Sequence, residues 1–124
     1  MKQILIIDDE WKLCAMLKHR LELTGNYAVT VAYSGPEGLE AAKGTRFDVV
    51  ITDFAMPGMT GEQVIDAMKA LAPAVPVLLL SVYHDDQRII TPAILGKADG
   101  LIAKPIDSTR LLTTIEDVLA RDRR

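Results

Sequence analysis

Five residues capable of chemistry stand at the carboxyl ends of short apolar runs in this chain. Asp8 and Asp9 follow Ile4-Leu5-Ile6-Ile7, and Asp53 follows Val49-Val50-Ile51-Thr52. Ser81 follows Val77-Leu78-Leu79-Leu80, and Lys104 follows Leu101-Ile102-Ala103. In a parallel α/β sheet such ends share one edge, where these folds place their sites. Three carboxylates, a hydroxyl and an ammonium would then converge. Taken singly, adjacent acids cap helices, and a serine or lysine after a strand belongs to a turn. Together they make a site. Three facing carboxylates repel one another unless a cation lies among them, and an oxygen-only donor set suits Mg²⁺, usually alongside phosphate. A carboxylate can also attack phosphorus, giving an aspartyl-phosphate. Phosphoryl transfer then needs in-line positioning and neutralisation of the equatorial oxygens. Mg²⁺ and Lys104 would neutralise that charge, and Ser81 would donate a hydrogen bond.

The elements that position these residues alternate along the chain. Strands are expected at 3–7, 27–32, 47–52, 76–81 and 100–103, as short apolar runs buried on both faces. Between them lie amphipathic helices. Leu13, Met16, Leu17 and Leu21 define one over 11–24. Val64, Ile65, Met68 and Leu71 define another over 61–71, and Leu111, Leu112, Ile115, Val118 and Leu119 a third over 108–120. Ser34-Gly35-Pro36-Glu37 and Thr60-Gly61-Glu62-Gln63 carry capping-box spacing. Gly25 and Gly44 fall where helices need a left-handed stop. Segment 85–97 is less regular: Ile89, Ile90, Ile94 and Leu95 read as helical, yet Thr91-Pro92 lies within it. That helix either starts near Thr91 or is kinked there. Strict alternation gives a parallel sheet with right-handed crossovers and helices on both faces.

At 124 residues the chain reads as one domain, 1–124, able to bury a core unaided. It is 49% hydrophobic and 25% charged, and its net charge of −3 argues against a nucleic-acid surface. Arg121, Arg123 and Arg124 form the one basic cluster, read as a solvated tail. Cys14 has no cysteine to pair with and falls on an apolar stretch, so a buried, unreactive thiol in a reducing cytosol is expected. Met1-Lys2 leads straight into a strand-like run, which does not read as a signal peptide, and no apolar run approaches a membrane span. A cytoplasmic protein is expected.

With these residues in place, the chain resembles the receiver domain of bacterial two-component response regulators over essentially 1–124. The resemblance rests on Ile4-Leu5-Ile6-Ile7-Asp8-Asp9-Glu10 and on Val50-Ile51-Thr52-Asp53 with Met56-Pro57-Gly58. It continues through Pro76-Val77 leading to Ser81, and Ala98-Asp99-Gly100 leading to Lys104-Pro105. It implies a flavodoxin-like (βα)5 three-layer sandwich with a five-stranded parallel sheet in the order 2-1-3-4-5. It implies that Asp53 accepts a phosphoryl group from a phosphohistidine on a sensor histidine kinase or phosphotransfer protein. Asp8 and Asp9, with Asp53 and the Ala55 carbonyl, would hold Mg²⁺. Lys104 would pair with the phosphoryl oxygens, Ser81 would swing in to bind one, and Lys104-Pro105 would be cis. The implied output face comprises the fourth helix, fifth strand and fifth helix, through which a homodimer or target protein would be bound. A self-phosphorylating switch is implied, not a turnover enzyme, with no direct contact to nucleic acid or membrane.

Three departures from the family pattern stand out. Leu101 replaces the usual Tyr or Phe three residues before the lysine, so the aromatic rotamer switch cannot work in its usual form; Tyr83 is a partial substitute or a surface residue. Val82 replaces the usual alanine after Ser81 and is expected to crowd the site. Lys97 looks inserted where the family has Gly-Ala-Asp, and with Pro92 it implies an unusual fourth helix. The isoleucine-rich segment before it is either buried or a partner surface. His19 and His84 are expected on the surface, and Trp11 beside the pocket, exposed. The alternative within the family is a degenerate receiver acting as a phosphorylation-independent binding module. A phosphatase of the aspartyl-phosphate type wants Asp-x-Asp after the first strand, and a flavin module wants a phosphate loop that Asp8-Asp9-Glu10 would repel.

Overall fold

Runs of Ile, Leu and Val that are apolar at both odd and even positions can satisfy themselves only by burying both faces of a strand. In the computed structural model, which describes residues 1–82 and 92–121, they do so. The elements are β1 (Lys2–Ile7), α1 (Trp11–Leu23), β2 (Tyr27–Ala32), α2 (Gly35–Gly44) and β3 (Val49–Asp53). They continue with α3 (Gly61–Leu71), β4 (Val77–Val82), α4 (Pro92–Lys97), β5 (Gly100–Lys104) and α5 (Ser108–Arg121). All strand pairs are parallel, and the sheet order is β2-β1-β3-β4-β5. This is the expected flavodoxin-like (βα)5 arrangement.

The two-residue period of the strands divides the core. Ile4, Ile6, Val49, Ile51, Leu78, Leu80 and Ile102 pack on one face against Cys14, Leu17 and Leu21 of α1 and Leu111, Ile115, Val118 and Leu119 of α5. Leu5, Ile7, Val50, Val77 and Leu79 face the other way, onto Val64, Ile65 and Met68 of α3 and Ile94 of α4. Ile94 is therefore a core residue. Leu71, expected on the buried stripe of α3, is instead 42% exposed at its last turn.

Several boundaries differ from the sequence-based expectation. Asp53 and Lys104 are not beyond their strands but the last residues of β3 and β5, while Ser81 lies within β4 as expected, that strand running on to Val82. Backbone pairing continues one step past the apolar run, since the ladder does not depend on side-chain polarity. Phe47 is buried outside β3. Gly44 is the last residue of α2, and the left-handed glycines among the described residues are Gly25 (φ 79°) and Gly58 (φ 82°). Thr60 and Gln63 form the reciprocal capping box at α3, whereas Ser34 supplies only the forward bond, accepting from the Glu37 N–H. Arg121 is no frayed tail: it closes α5 and donates to the Asp99 carbonyl at 3.1 Å. The described part of the fourth helix starts at Pro92, and the choice between a late start and a kink falls on residues before it, outside the described ones. Tyr83, His84, Ile89, Ile90, Thr91, Arg123 and Arg124, and the side chains of Pro92 and Leu95, lie outside the described residues.

Candidate functional site

The carboxyl edge of the sheet gathers its polar groups because adjacent strands end in step. Ile7 is opposite Thr52, Asp53 opposite Leu80, and Val82 opposite Lys104. Beyond β1 the chain turns into α1 through Asp8-Asp9-Glu10. Beyond β3, Gly58 takes a left-handed conformation and Gly61 opens α3 against the strand end. A Cβ at Gly61 would lie 2.6 Å from the Phe54 Cα and 2.7 Å from the Asp53 carbonyl oxygen, so only glycine fits there. The Gly61 N–H donates to the Phe54 carbonyl at 2.8 Å, tying helix to strand.

Asp8, Asp9 and Asp53 each offer a carboxylate oxygen, all within 4.8 Å of one another. Asp8 is fully buried and Asp53 is 6% exposed, while Asp9 faces solvent. The Lys104 ammonium reaches in from β5, 3.1 Å from Asp8 Oδ2 and 3.2 Å from Asp53 Oδ1, and also 3.2 Å from Glu10 Oε1. Asp8 Oδ1 accepts the Glu10 N–H at 2.9 Å. Ser81 is buried on the same edge, but its hydroxyl donates to the Val82 carbonyl at 3.3 Å and makes no bond to these carboxylates. Lys104-Pro105 is cis. Ala55 follows two residues after Asp53, in an exposed turn.

Electrostatics follow from this crowding. Burial, and then the neighbouring Asp8 charge, push the Asp53 carboxyl up to about 6, against the downward pull of Lys104. Burial also raises Asp8, with Lys104 and the Glu10 N–H opposing. Burial alone would lower Lys104, but the facing Asp53 and Asp8 charges more than offset it and hold the ammonium above its ordinary range. Cys14 lies beneath, its Sγ donating to the Asp8 carbonyl at 3.3 Å. Burial and the Asp8 charge push that thiol up to about 12, so it is inert as expected.

These residues fit a hard divalent cation. The donors are all oxygens, they are already convergent, and the two buried ones carry mutual repulsion that added positive charge would relieve. Lys104 is too broadly shared to neutralise all three acids. Of the other residues singled out in the sequence, Trp11 is 64% exposed beside the site and His19 is exposed on α1. Val82 and Leu101 are 43% and 39% exposed. Lys97 closes α4 and pairs with Glu62 at 2.9 Å and Asp66 at 3.2 Å on α3. Glu10 is the participant that sequence reasoning left without a role. Its partner is remote in sequence, and only its adjacency to Asp8-Asp9 could have drawn notice.

A parallel five-stranded α/β sheet with acids and a lysine converging at its carboxyl edge defines an open α/β fold with its site where such folds bind ligands. The family described as the response regulator receiver domain matches residues 4–116. The chain belongs to that family. Among curated relatives, the transcriptional regulatory protein ZraR of Salmonella typhimurium is 36% identical over 120 residues, which cover 97% of this chain and 27% of that protein. The response regulator ArlR of Staphylococcus aureus is 33% identical, over 98% of this chain and 54% of that protein. The chain thus spans from about a quarter to about half the length of such relatives. Among solved structures, the chemotaxis protein CheY4 of Vibrio cholerae superposes with a TM-score of 0.82 at 31% identity, covering 95% of this chain and 98% of that one. The response regulator TrrA of Thermotoga maritima, solved in complex with Mg(2+)-BeF, gives a TM-score of 0.83 at 26% identity, covering 95% and 99%. No helix among the described residues is long and apolar enough to cross a membrane.

Proposed function

We propose that this chain is a phosphoacceptor switch in which Asp53 takes a phosphoryl group from a phosphohistidine on a sensor histidine kinase or phosphotransfer protein. The observation that carries the reading is the single ammonium of Lys104, shared between the buried carboxylates of Asp8 and Asp53. A cation held against a nucleophile in this way is ready to meet the charge on an incoming phosphoryl group. An Asp53 oxygen forms the new bond to phosphorus while the bond from phosphorus to the donor imidazole nitrogen breaks, and the imidazole takes up a proton from solvent. Lys104 follows the charge from carboxylate to phosphoryl oxygen. Ser81, on the same edge, turns its hydroxyl from the Val82 carbonyl toward that phosphoryl group.

Asp8, Asp9, Asp53 and the Ala55 carbonyl are the ligands we assign to Mg²⁺. When bound, Mg²⁺ supplies charge neutralisation at the transferring phosphoryl group. The chain acts as one receiver unit over 1–124 in the cytoplasm, a self-phosphorylating switch and not a turnover enzyme. It signals through α4, β5 and α5 to a second copy, a target or an output domain. Leu101 in place of an aromatic residue, exposed on β5, is the one observation favouring the alternative of a phosphorylation-independent binding module.

Intact mass after incubation with acetyl phosphate and Mg²⁺ tests the reading. One added phosphoryl group is expected, absent in Asp53→Asn and after chelation. No gain in a folded protein that still binds Mg²⁺ would point to the binding-module alternative.

A further inference from the structure

Glu10 occupies the N-cap position of α1, yet its side chain makes no cap hydrogen bond. Ser, Thr, Asp and Asn lead at that position because their short side chains accept from the first-turn N–H groups. Glu10 does something else. Its backbone N–H is pinned to Asp8 Oδ1 at 2.9 Å, and its carboxylate is 3.2 Å from the Lys104 nitrogen. Asp53 stands 3.2 Å from that same nitrogen. The Glu10 side chain is 63% exposed, whereas those of Asp8 and Asp53 are 0% and 8% exposed. Glu10 is thus the outward-facing partner of the ammonium, at the mouth of the site.

From this we infer that Glu10 is a specificity-determining residue that discriminates against free anionic phosphodonors. The inference rests on the phosphoacceptor reading above. An arriving phosphoryl group must take over Lys104 and so displace Glu10. It must also approach past that carboxylate. A small donor brings almost no binding energy besides its phosphoryl contacts, so the displacement falls wholly on its barrier. A protein donor has a docking surface remote from the reacting atoms, and that binding energy offsets the displacement. The Glu10 carboxylate therefore favours delivery by a docked protein over capture of free acyl phosphates.

Initial rates of Asp53 phosphorylation, followed by intact mass at saturating Mg²⁺, test this with Glu10→Gln. Acetyl phosphate is compared with phosphoramidate, which carries one negative charge fewer at neutral pH. The substitution is expected to raise the second-order rate with acetyl phosphate about three- to tenfold at low salt, the scale of removing one charge some ångströms from a dianion in a wet site. The gain should be smaller with phosphoramidate and should fade in about 1 M salt, where screening is nearly complete. Glu10→Asp, which keeps the charge, should retain the wild-type preference between donors. Equal rates for wild type and Glu10→Gln, or a change that ignores donor charge and salt, would overturn the proposal while leaving Asp53 as the acceptor. Absence of phosphoryl gain in every variant would remove the phosphoacceptor reading and this inference with it.

Discussion

To act as the proposed nucleophile Asp53 must be ionised, and it is held where ionisation is unfavourable. Its carboxyl stands near pH 6, against an ordinary value of 3.8, because it is buried beside Asp8. The sign follows directly. Between these values the folded protein keeps a proton that the unfolded chain has released, so the Asp53 contribution to stability falls as pH rises from about 4 to about 6. In the metal-free protein Asp53→Asn, which removes the charge and keeps the shape, should therefore stabilise the fold at neutral pH by about 1–3 kcal/mol. Urea unfolding in chelator measures this, and the gain should shrink when the comparison is repeated near pH 4. Val82 sets a different property. It is the register partner of Lys104 and, being β-branched, adds stiff bulk at the rim of the site. Val82→Ala should open the approach of water to an aspartyl-phosphate. Loss of the phosphoryl group, followed by mass after donor removal, is expected to be severalfold faster; equal rates would show that Val82 does not shield the site.

The elements carry their own constraint at Gly61. A methyl group there would strike the Phe54 Cα and the Asp53 carbonyl, both backbone atoms that cannot rotate away. Gly61→Ala should cost about 1–3 kcal/mol by forced repacking, despite the better helix propensity of alanine. It should also slow phosphorylation by shifting the backbone that carries Asp53. A shift in urea midpoint together with a slower reaction checks this; a stabilised, fully active variant would refute it. This same helix shows what was legible in sequence. Its bounds, Gly61–Leu71, were readable because Thr60 and Gln63 form a local capping box beside an apolar stripe. Signals spanning a few residues survive folding unchanged. Gly44 was misread because a glycine near a helix end does not say whether it lies inside the last turn or beyond it. Asp53, Ser81 and Lys104 were readable as candidates because strand ends share an edge. The 94-residue separation between Lys104 and Glu10 put their contact beyond any local pattern. The bond from Arg121 to Asp99, and the clamp of Lys97 onto Glu62 and Asp66, are tertiary for the same reason.

At the scale of the whole molecule, the site is a strain that two cores hold in place. Residues of β1, β3 and β4 pack alternately into the layer of α1 and α5 and into the layer of α2, α3 and α4. The strand ends therefore cannot splay to relieve repulsion between Asp8 and Asp53. A cation that binds only the folded arrangement must then raise global stability, by about 2.7 kcal/mol at a hundredfold excess over its Kd. Millimolar Mg²⁺ should accordingly raise the Tm of the wild-type protein over that in chelator, by several degrees for a domain of this size. Two variants separate ligation from relief of strain. Asp53→Asn removes both a proposed ligand and a buried charge, so its metal-free Tm should rise and its Mg²⁺ response should shrink. Asp9 is exposed, and its charge is already solvated. Asp9→Asn should leave the metal-free Tm nearly unchanged yet still weaken the Mg²⁺ response. The wild-type response should itself disappear as pH falls below about 6, because protons then compete for Asp53. Thermal melts of the three proteins, with and without Mg²⁺ at two pH values, check the whole pattern. An Mg²⁺ response that survives in both variants, or persists at low pH, would place the cation somewhere other than this edge of the sheet.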